Sequence, residues 1–315
     1  SEEKNKKEIQ TFIGANYCKE KDWHYSPSLK IHISPYYEHD TNAYLSSYYL
    51  DNILIGTIFN RTLRIHLSGI NFAVSYIDYL CVHRGHRKKN VAPELIQTHE
   101  FYQRTKSKKK CMVILFKKEG SLHWFTPLIK YRALIYNLSQ FKSCDFFQSQ
   151  DPQSHYDIVI ASLSIKHIIL GFLEEVREKY TCFIIPPFET ILALIERKSI
   201  VIYGLLNKRT QSLDAMYFFR NTGLYINSGE SSIECFASLY ARISDTIFSS
   251  IFFTILKSYY PLNTFLHLEE IGATAKVVDA IEKAGVTAKY TIPCAYYLYN
   301  YSNRSICNEK ATIIL

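Results

Sequence analysis

The richest chemistry in this 315-residue chain lies between Ile77 and Pro93. Tyr76 to Val82 is β-branched and aromatic, and the pattern predicts a mostly buried strand. His83 to Asn90 is polar and basic, and reads as a loop. Val91-Ala-Pro-Glu-Leu-Ile96 then opens a helix, with Pro93 in the first turn and an apolar face through Leu95, Ile96 and Phe101. The first N–H groups of a helix have no partner within it, and together with the helix dipole they bind anions. Arg87, Lys88 and Lys89 add positive charge beside those amides. The combination suits a pyrophosphate, as in coenzyme A. The competing reading is a solvated basic face that only keeps the chain soluble.

Other reactive residues fit simpler roles. His83 follows the strand and could act as a base, but a structural histidine explains it as well. Cys81 beside a thioester would need a base poised nearby to form an acyl-cysteine, and packing is the simpler role. His24, His66, His123 and His267 have no metal-like spacing, so no metal is expected. The eight cysteines hold no C-x-x-C and no zinc spacing, and read as reduced thiols of a cytoplasmic protein.

Charge is unevenly spread. The chain carries 37 Lys+Arg and 29 Asp+Glu, a net of +8. Residues 1–150 hold 22 and 13 of these, a net of +9, and residues 151–315 hold 15 and 16, a net of −1. The excess clusters in Arg84–Lys89 and Lys106–Lys110. Such a field favours a polyanion: nucleic acid, anionic lipid or a phosphorylated cofactor. Nucleic acid is the weaker option, because no zinc-finger spacing, RNP-type run or helix-turn-helix stands out. Hydrophobic residues make up 47% and charged residues 21%, which excludes wholesale disorder. The longest clean apolar stretch, Thr246–Leu256, is too short to span a bilayer.

The elements that must position this chemistry are mixed. Ile53–Phe59, an interruption at Asn60-Arg61, and Leu63–Leu67 read as a hairpin. Met112–Phe116 is a strand, and the polar run 143–155 with Pro152 is the best linker. Beyond it come a helix over Ser164–Tyr180, paired strands at Ile200–Leu205 and Ala215–Phe219, and one long helix within Ser232–Tyr260 ended by Pro261. A strand at Leu262–Leu268, a helix at Lys276–Lys283 and a last strand at Ala295–Asn300 follow. The fold class is α/β (α+β), with largely antiparallel sheets flanked by helices in two halves, 1–150 and 151–315.

The run Tyr79-Leu-Cys-Val-His-Arg-x-x-Arg-Lys-x-x-Val-Ala-Pro-x-Leu-Ile96 resembles the signature of the N-myristoyltransferases. Further islands resemble the family in order: Asn16-Tyr17 before Tyr25-Ser26-Pro27, Leu54-Ile-Gly56, Ile202-Tyr-Gly-Leu205, Met216-Tyr-Phe-Phe219, and Ala295-Tyr-Tyr-Leu-Tyr-Asn-Tyr301. The resemblance implies two tandem acyltransferase halves of the GNAT type. The first would bind myristoyl-CoA. The second would supply most of the groove for a protein whose N-terminal glycine amine accepts the myristoyl group. It implies an oxyanion hole from the amides of Tyr79 and Leu80, and the carboxylate of Leu315 as general base. It also implies a coenzyme site over Cys81, Val82, Arg87, Lys88, Lys89, Asn90, Val91, Ala92 and Pro93. Peptide contacts would fall at Tyr17, Tyr203, Tyr217 and Tyr297, in a monomer with no metal, no stable nucleic acid and no transmembrane segment.

The chain departs from the family at several positions. Gly85-His86 replaces a Lys-Leu, and Asn90 ends the phosphate loop in place of an arginine. The threonine that assists the family's base falls within Val113–Phe116, where no hydroxyl stands. The acidic run after the early Asn-Tyr is Cys18-Lys-Glu-Lys-Asp22, Tyr-Trp-His-Arg becomes His123-Trp-Phe-Thr-Pro127, and the Gly-Asp-Gly loop becomes Lys283-Ala-Gly-Val-Thr-Ala-Lys289. The alternatives are therefore an acyl-CoA or lipidated-peptide binding protein of the same fold, and a basic nucleic-acid-binding protein.

Overall fold

A computed structural model describes residues 2–17, 23–106, 112–122, 125–143, 155–226, 229–260 and 262–315. In chain order its elements are α1 (Glu2–Asn16), β1 (Trp23–Tyr25), β2 (Tyr44–Leu50), β3 (Ile53–Leu67), β4 (Ile70–Val82), α2 (Val91–Lys106), β5 (Ile114–Glu119), β6 (Ile129–Asn137) and β7 (Tyr156–Ile160). Then follow α3 (Lys166–Arg177), β8 (Cys182–Ile185), α4 (Phe188–Glu196), β9 (Val201–Asn207), β10 (Leu213–Ile226), β11 (Glu230–Tyr240), α5 (Asp245–Leu256), β12 (Phe265–Glu269), α6 (Thr274–Lys283), β13 (Tyr290–Tyr299) and β14 (Ala311–Ile313).

The strands form one mixed, mostly antiparallel sheet in the order β14-β8-β3-β4-β5-β13-β6-β12-β11-β10-β9-β7, with β1 on β10 and β2 on β3. Three parallel pairings interrupt it, one of them β14 on β8 at an edge. Strands β4 and β5 pair only at Ser75–Ile114 and Tyr76–Leu115, and then diverge. Strands β11 and β12 pair only from Ser232–Phe265 to Cys235–Leu268. The short β4–β5 pairing lies at the segment that carries the chemistry. The two halves are interlocked: β13 is inserted between β5 and β6, and β6 pairs with β12.

Aromatic residues fill the interior. Phe248, Phe252 and Phe253 of α5 pack on Tyr217 and Phe219 of β10 and on Val277 and Ile281 of α6. Ile9, Phe12 and Ile13 of α1 pack with Tyr25, Phe59 and Tyr79.

Two expectations are overturned. Ile53 to Leu67 is one continuous strand, with Asn60 and Arg61 buried in its middle, and not a hairpin. Polar residues read as a turn are here lodged in a strand, Asn60 held by hydrogen bonds to Asn42 and Ser75. Ser232–Tyr260 is not one helix: it is β11 followed by α5. Apolar residues at Ile233, Phe236, Ala237 and Tyr240 mimic helical spacing, but β11 is covered on both faces and so shows no alternation. The basic run beyond Lys106 (107–110), most of the linker candidate 143–155, the run 18–22, and His123-Trp124 lie outside the described residues. No helix among the described residues is long and apolar enough to cross a membrane.

Candidate functional site

The site is organised by a bulge. Thr57 of β3 pairs with Cys81 of β4, and Phe59 with Asp78, so Ile58 alone faces Tyr79 and Leu80. Tyr79 takes a φ of 46°, in the left-handed region. For a bulky residue that costs of order 1–3 kcal/mol and needs support from its surroundings. The support is visible. Its amide donates to Asp78 Oδ1 at 2.8 Å, and Thr57 Oγ1 donates to its carbonyl at 3.2 Å. Its hydroxyl meets Tyr25 Oη at 2.9 Å, and its ring is 5.5 Å from those of Tyr17 and Phe59. The extra residue breaks the ladder just beyond the short β4–β5 pairing.

Two cavities meet at this bulge, since Tyr17 and Leu80 line both. The first, about 620 Å³, is walled by Cys81, Val82, Arg87, Lys88, Asn90, Val91, Ala92 and Pro93 as well. Lys89 stands exposed beside it and is not part of the wall. The amides of Val91 and Ala92 open α2, while Pro93 has no N–H to offer. Arg87 pins the loop: Nη2 donates to Asn16 O at 2.7 Å and Nε to Val82 O at 3.3 Å. Asn16 Oδ1 accepts the Arg84 amide, so the end of α1 braces the same loop. Lys88 and Asn90 adopt φ values of 62° and 63°, a tight loop that gathers amides and positive side chains at one helix end. This arrangement can hold a diphosphate. Lys88→Glu is expected to weaken pyrophosphate binding roughly tenfold while shifting the unfolding midpoint little, as calorimetric titration beside a thermal melt would show.

The second cavity, about 920 Å³, sets Arg61, Asp78, Arg220 and Glu234 among aromatic and aliphatic residues. Leu315 is 7% exposed and lines it, as do Tyr79 and Leu80. Strand β14 runs parallel to β8, and the Ile314 amide donates to Ile184 O, which carries the chain to this place. Arg220 Nη1 donates to Leu315 O at 3.2 Å, and its Nε meets Glu234 Oε2 at 2.6 Å. Burial opposes both charges of that pair. Their attraction prevails, holding Arg220 well above its ordinary value and Glu234 below the usual carboxylate range. His267 also faces the cavity; burial pushes its pKa down to about 4, so it is neutral at pH 7. The stretch Val113–Phe116 holds no hydroxyl, and Lys117, next in β5, is bonded to Glu269 at 2.8 Å. Tyr131 and Tyr296 also donate to Glu269.

The structure separates the four tyrosines expected at a peptide groove. Tyr17 lines both cavities. Tyr203 and Tyr217, paired across β9 and β10, face the α5 side, where Tyr217 donates to Phe248 O and Tyr203 packs on Phe219 and Tyr259. They stand on the sheet face opposite Arg220. Tyr297 stacks on Phe116 and donates to Leu122 O, and its neighbour Tyr296 faces the cavity in its place. Successive residues of a strand point to opposite faces, so a motif that finds the strand does not find the face. Sequence reading missed Arg61, Asp78, Arg220 and Glu234, which all line the second cavity. The available signal was a charged residue inside an otherwise apolar strand.

No family model matches the chain, and no curated protein matches it in sequence. Its fold is similar to solved structures over nearly its whole length. Saccharomyces cerevisiae N-myristoyltransferase with bound myristoyl-CoA superposes with a TM-score of 0.76 at 10% identity, covering 99% of this chain and 86% of that one. A tandem GNAT protein from the clavulanic acid biosynthesis pathway gives 0.63 at 9% identity, covering 96% and 97%. At these identities the likeness is one of fold, and it agrees with the tandem GNAT-like architecture expected from the sequence.

Proposed function

We propose that this chain is an acyl-CoA-dependent N-acyltransferase. The observation that carries the reading is the Tyr79–Leu80 bulge, set between an anion-binding helix end and a cavity that holds a buried carboxyl group. The α2 amides with Lys88 receive the coenzyme's phosphates. The bulge receives the thioester carbonyl. Because Asp78 already occupies the Tyr79 amide, the Leu80 amide is the donor aimed at the developing oxyanion. The amine enters from the second cavity and loses a proton to the Leu315 carboxylate. It then attacks the thioester, and coenzyme A leaves as the thiol. Glu234 offsets the charge of Arg220, which limits how far Arg220 weakens that base. The finer reading is myristoyl-CoA as donor and a protein's N-terminal glycine as acceptor, supported by the sequence islands and by the yeast enzyme's fold.

A second reading, an acyl-CoA or lipidated-peptide receptor, is favoured by the occupied Tyr79 amide and by the lack of a hydroxyl on β5 over Ile114–Phe116. Incubation with acyl-CoAs from acetyl to myristoyl and a pool of Gly-initiated peptides, read by mass spectrometry, separates the two. Acylated product is expected, with the myristoyl donor preferred. Saturable acyl-CoA binding without product would establish the receptor. Absence of both would end the acyltransferase reading.

A further inference from the structure

We propose that Arg61 is an anion subsite inside the second cavity, and that the amine accepting the acyl group carries a carboxylate received there. The inference rests on the acyl-transfer reading and adds the acceptor's chemistry to it. Arg61 is 3% exposed, in the middle of β3 and on the cavity wall. Arginines are almost never buried to this degree without a partner. Its guanidinium carbon lies 4.9 Å from the ring centre of Tyr36 and 5.1 Å from that of Tyr76. The cation is thus held over two aromatic rings at the cavity wall. Two of its nitrogens, Nε and Nη1, are buried with no hydrogen-bond partner, and no carboxylate among the described residues forms an ion pair with it.

The neighbours narrow the class of anion. The Tyr37 hydroxyl is also buried and unpartnered. Burial first, and then Asp78, hold its pKa well up against the opposing pull of Arg61, so it stays protonated and can donate. Asp78 lines the same cavity, and its Oδ1 accepts the Tyr79 amide. Arg61 carries one positive charge, which one carboxylate balances, and the acceptor's own ammonium balances Asp78; a phosphate dianion on Arg61 would leave buried charge uncompensated. A carboxylate is planar and matches the guanidinium fork. Asp78 and Leu315 also line the cavity, and their carboxylates suit an ammonium before it loses its proton. The acceptor is thus a zwitterion, with its amine toward the bulge and its carboxylate on Arg61. The carboxylate has two possible sources: the α-carboxyl of a free amino acid, or an acidic side chain near a peptide's amino end.

Matched acceptors test this: free amino acids against their amides, and Gly-initiated peptides with Asp or Glu against the same peptides with Asn or Gln. Transfer and binding are both measured, the latter by calorimetry with the N-acylated analogues. The wild type is expected to favour one acid set at least roughly tenfold in kcat/KM, and the favoured set identifies the source. Arg61→Met should bring the acid-to-amide ratio near one, and Arg61→Lys should restore part of it, with folding of each checked by circular dichroism. No acid preference in the wild type, or a preference that survives in Arg61→Met, overturns the subsite. Equal losses for acid and amide in a folded Arg61→Met also overturn it, since the residue would then be holding structure. Acid-selective, Arg61-dependent binding without any transfer supports the subsite and removes the acyl-transfer reading instead.

Discussion

Adding one glycine after Leu315 is expected to lower acyl transfer by about 10²- to 10⁴-fold, the range typical of a lost general base. The extension keeps the Leu315 side chain in its core and moves only the carboxylate away from Arg220. Deleting Leu315 would confuse two effects, because that side chain is buried among Leu63, Ile65 and Tyr296 in one cluster. Burying a leucine is worth about 1.5–3 kcal/mol, so its removal loosens the fold as well. Coenzyme A binding should persist in the extended chain, since the first cavity is built from α2 and its loop. Stopped-time assays at saturating acyl-CoA measure the loss. An undiminished rate would remove Leu315 from the chemistry and turn attention to Asp78 and the neutral His267.

Arg220→Met is expected to cost about 3–5 kcal/mol of stability, because it strands Glu234 as a buried, unpaired charge. Arg220 and Glu234 are only 24% and 14% exposed in their side chains. The Arg220→Met/Glu234→Leu double variant should regain most of that loss while still transferring acyl groups poorly, because Leu315 keeps no donor from Arg220. Chemical denaturation measures the first effect and initial rates the second. The pH dependence has a definite sign. Arg220 depresses the Glu234 carboxyl in the folded state. The pair's contribution is therefore fully present above the ordinary carboxylate range and is lost as pH falls through the folded value. Unfolding at acid pH should show this loss in the wild type and not in the double variant. If the single variant melts like the wild type, the pair does not stabilise the fold.

What could be read from the sequence was local. The strand ending at Val82, the loop and the helix opening at Val91 form one contiguous segment, so propensity, charge and capping logic identified them together. The first cavity follows almost entirely from that segment, with Asn16 and Tyr17 as additions from α1 and the residue after it. The second cavity is assembled from β3, β4, β5, β10, β11, β12 and the C-terminal segment, which are remote in sequence. Arg61 was hidden because an Asn-Arg pair between apolar runs resembles a turn. Glu234 was hidden because an apolar run with helical spacing resembles a helix. The first error came from polar side chains inside a strand, which the local pattern treats as a break and the cavity makes tolerable; the second came from a strand covered on both faces, which shows no alternation. The tyrosines of β9, β10 and β13 show the complementary failure: the strands were found, but their registers, and hence their faces, were not.

The insertion of β13 between β5 and β6 bears on how the molecule is made. Neither half can complete its portion of the sheet alone, because each lends an interior strand to the other. A chain emerging N-terminus first must hold β5 and β6 apart, with an unsatisfied seam, until β13 arrives. Pairings of such long sequence separation form slowly and expose aggregation-prone edges meanwhile. Strand β14 and the residues after it join later still, and they bring Leu315 to Arg220. The contact between Leu315 and Arg220 therefore waits on β14, the last strand of the described chain, reaching β8.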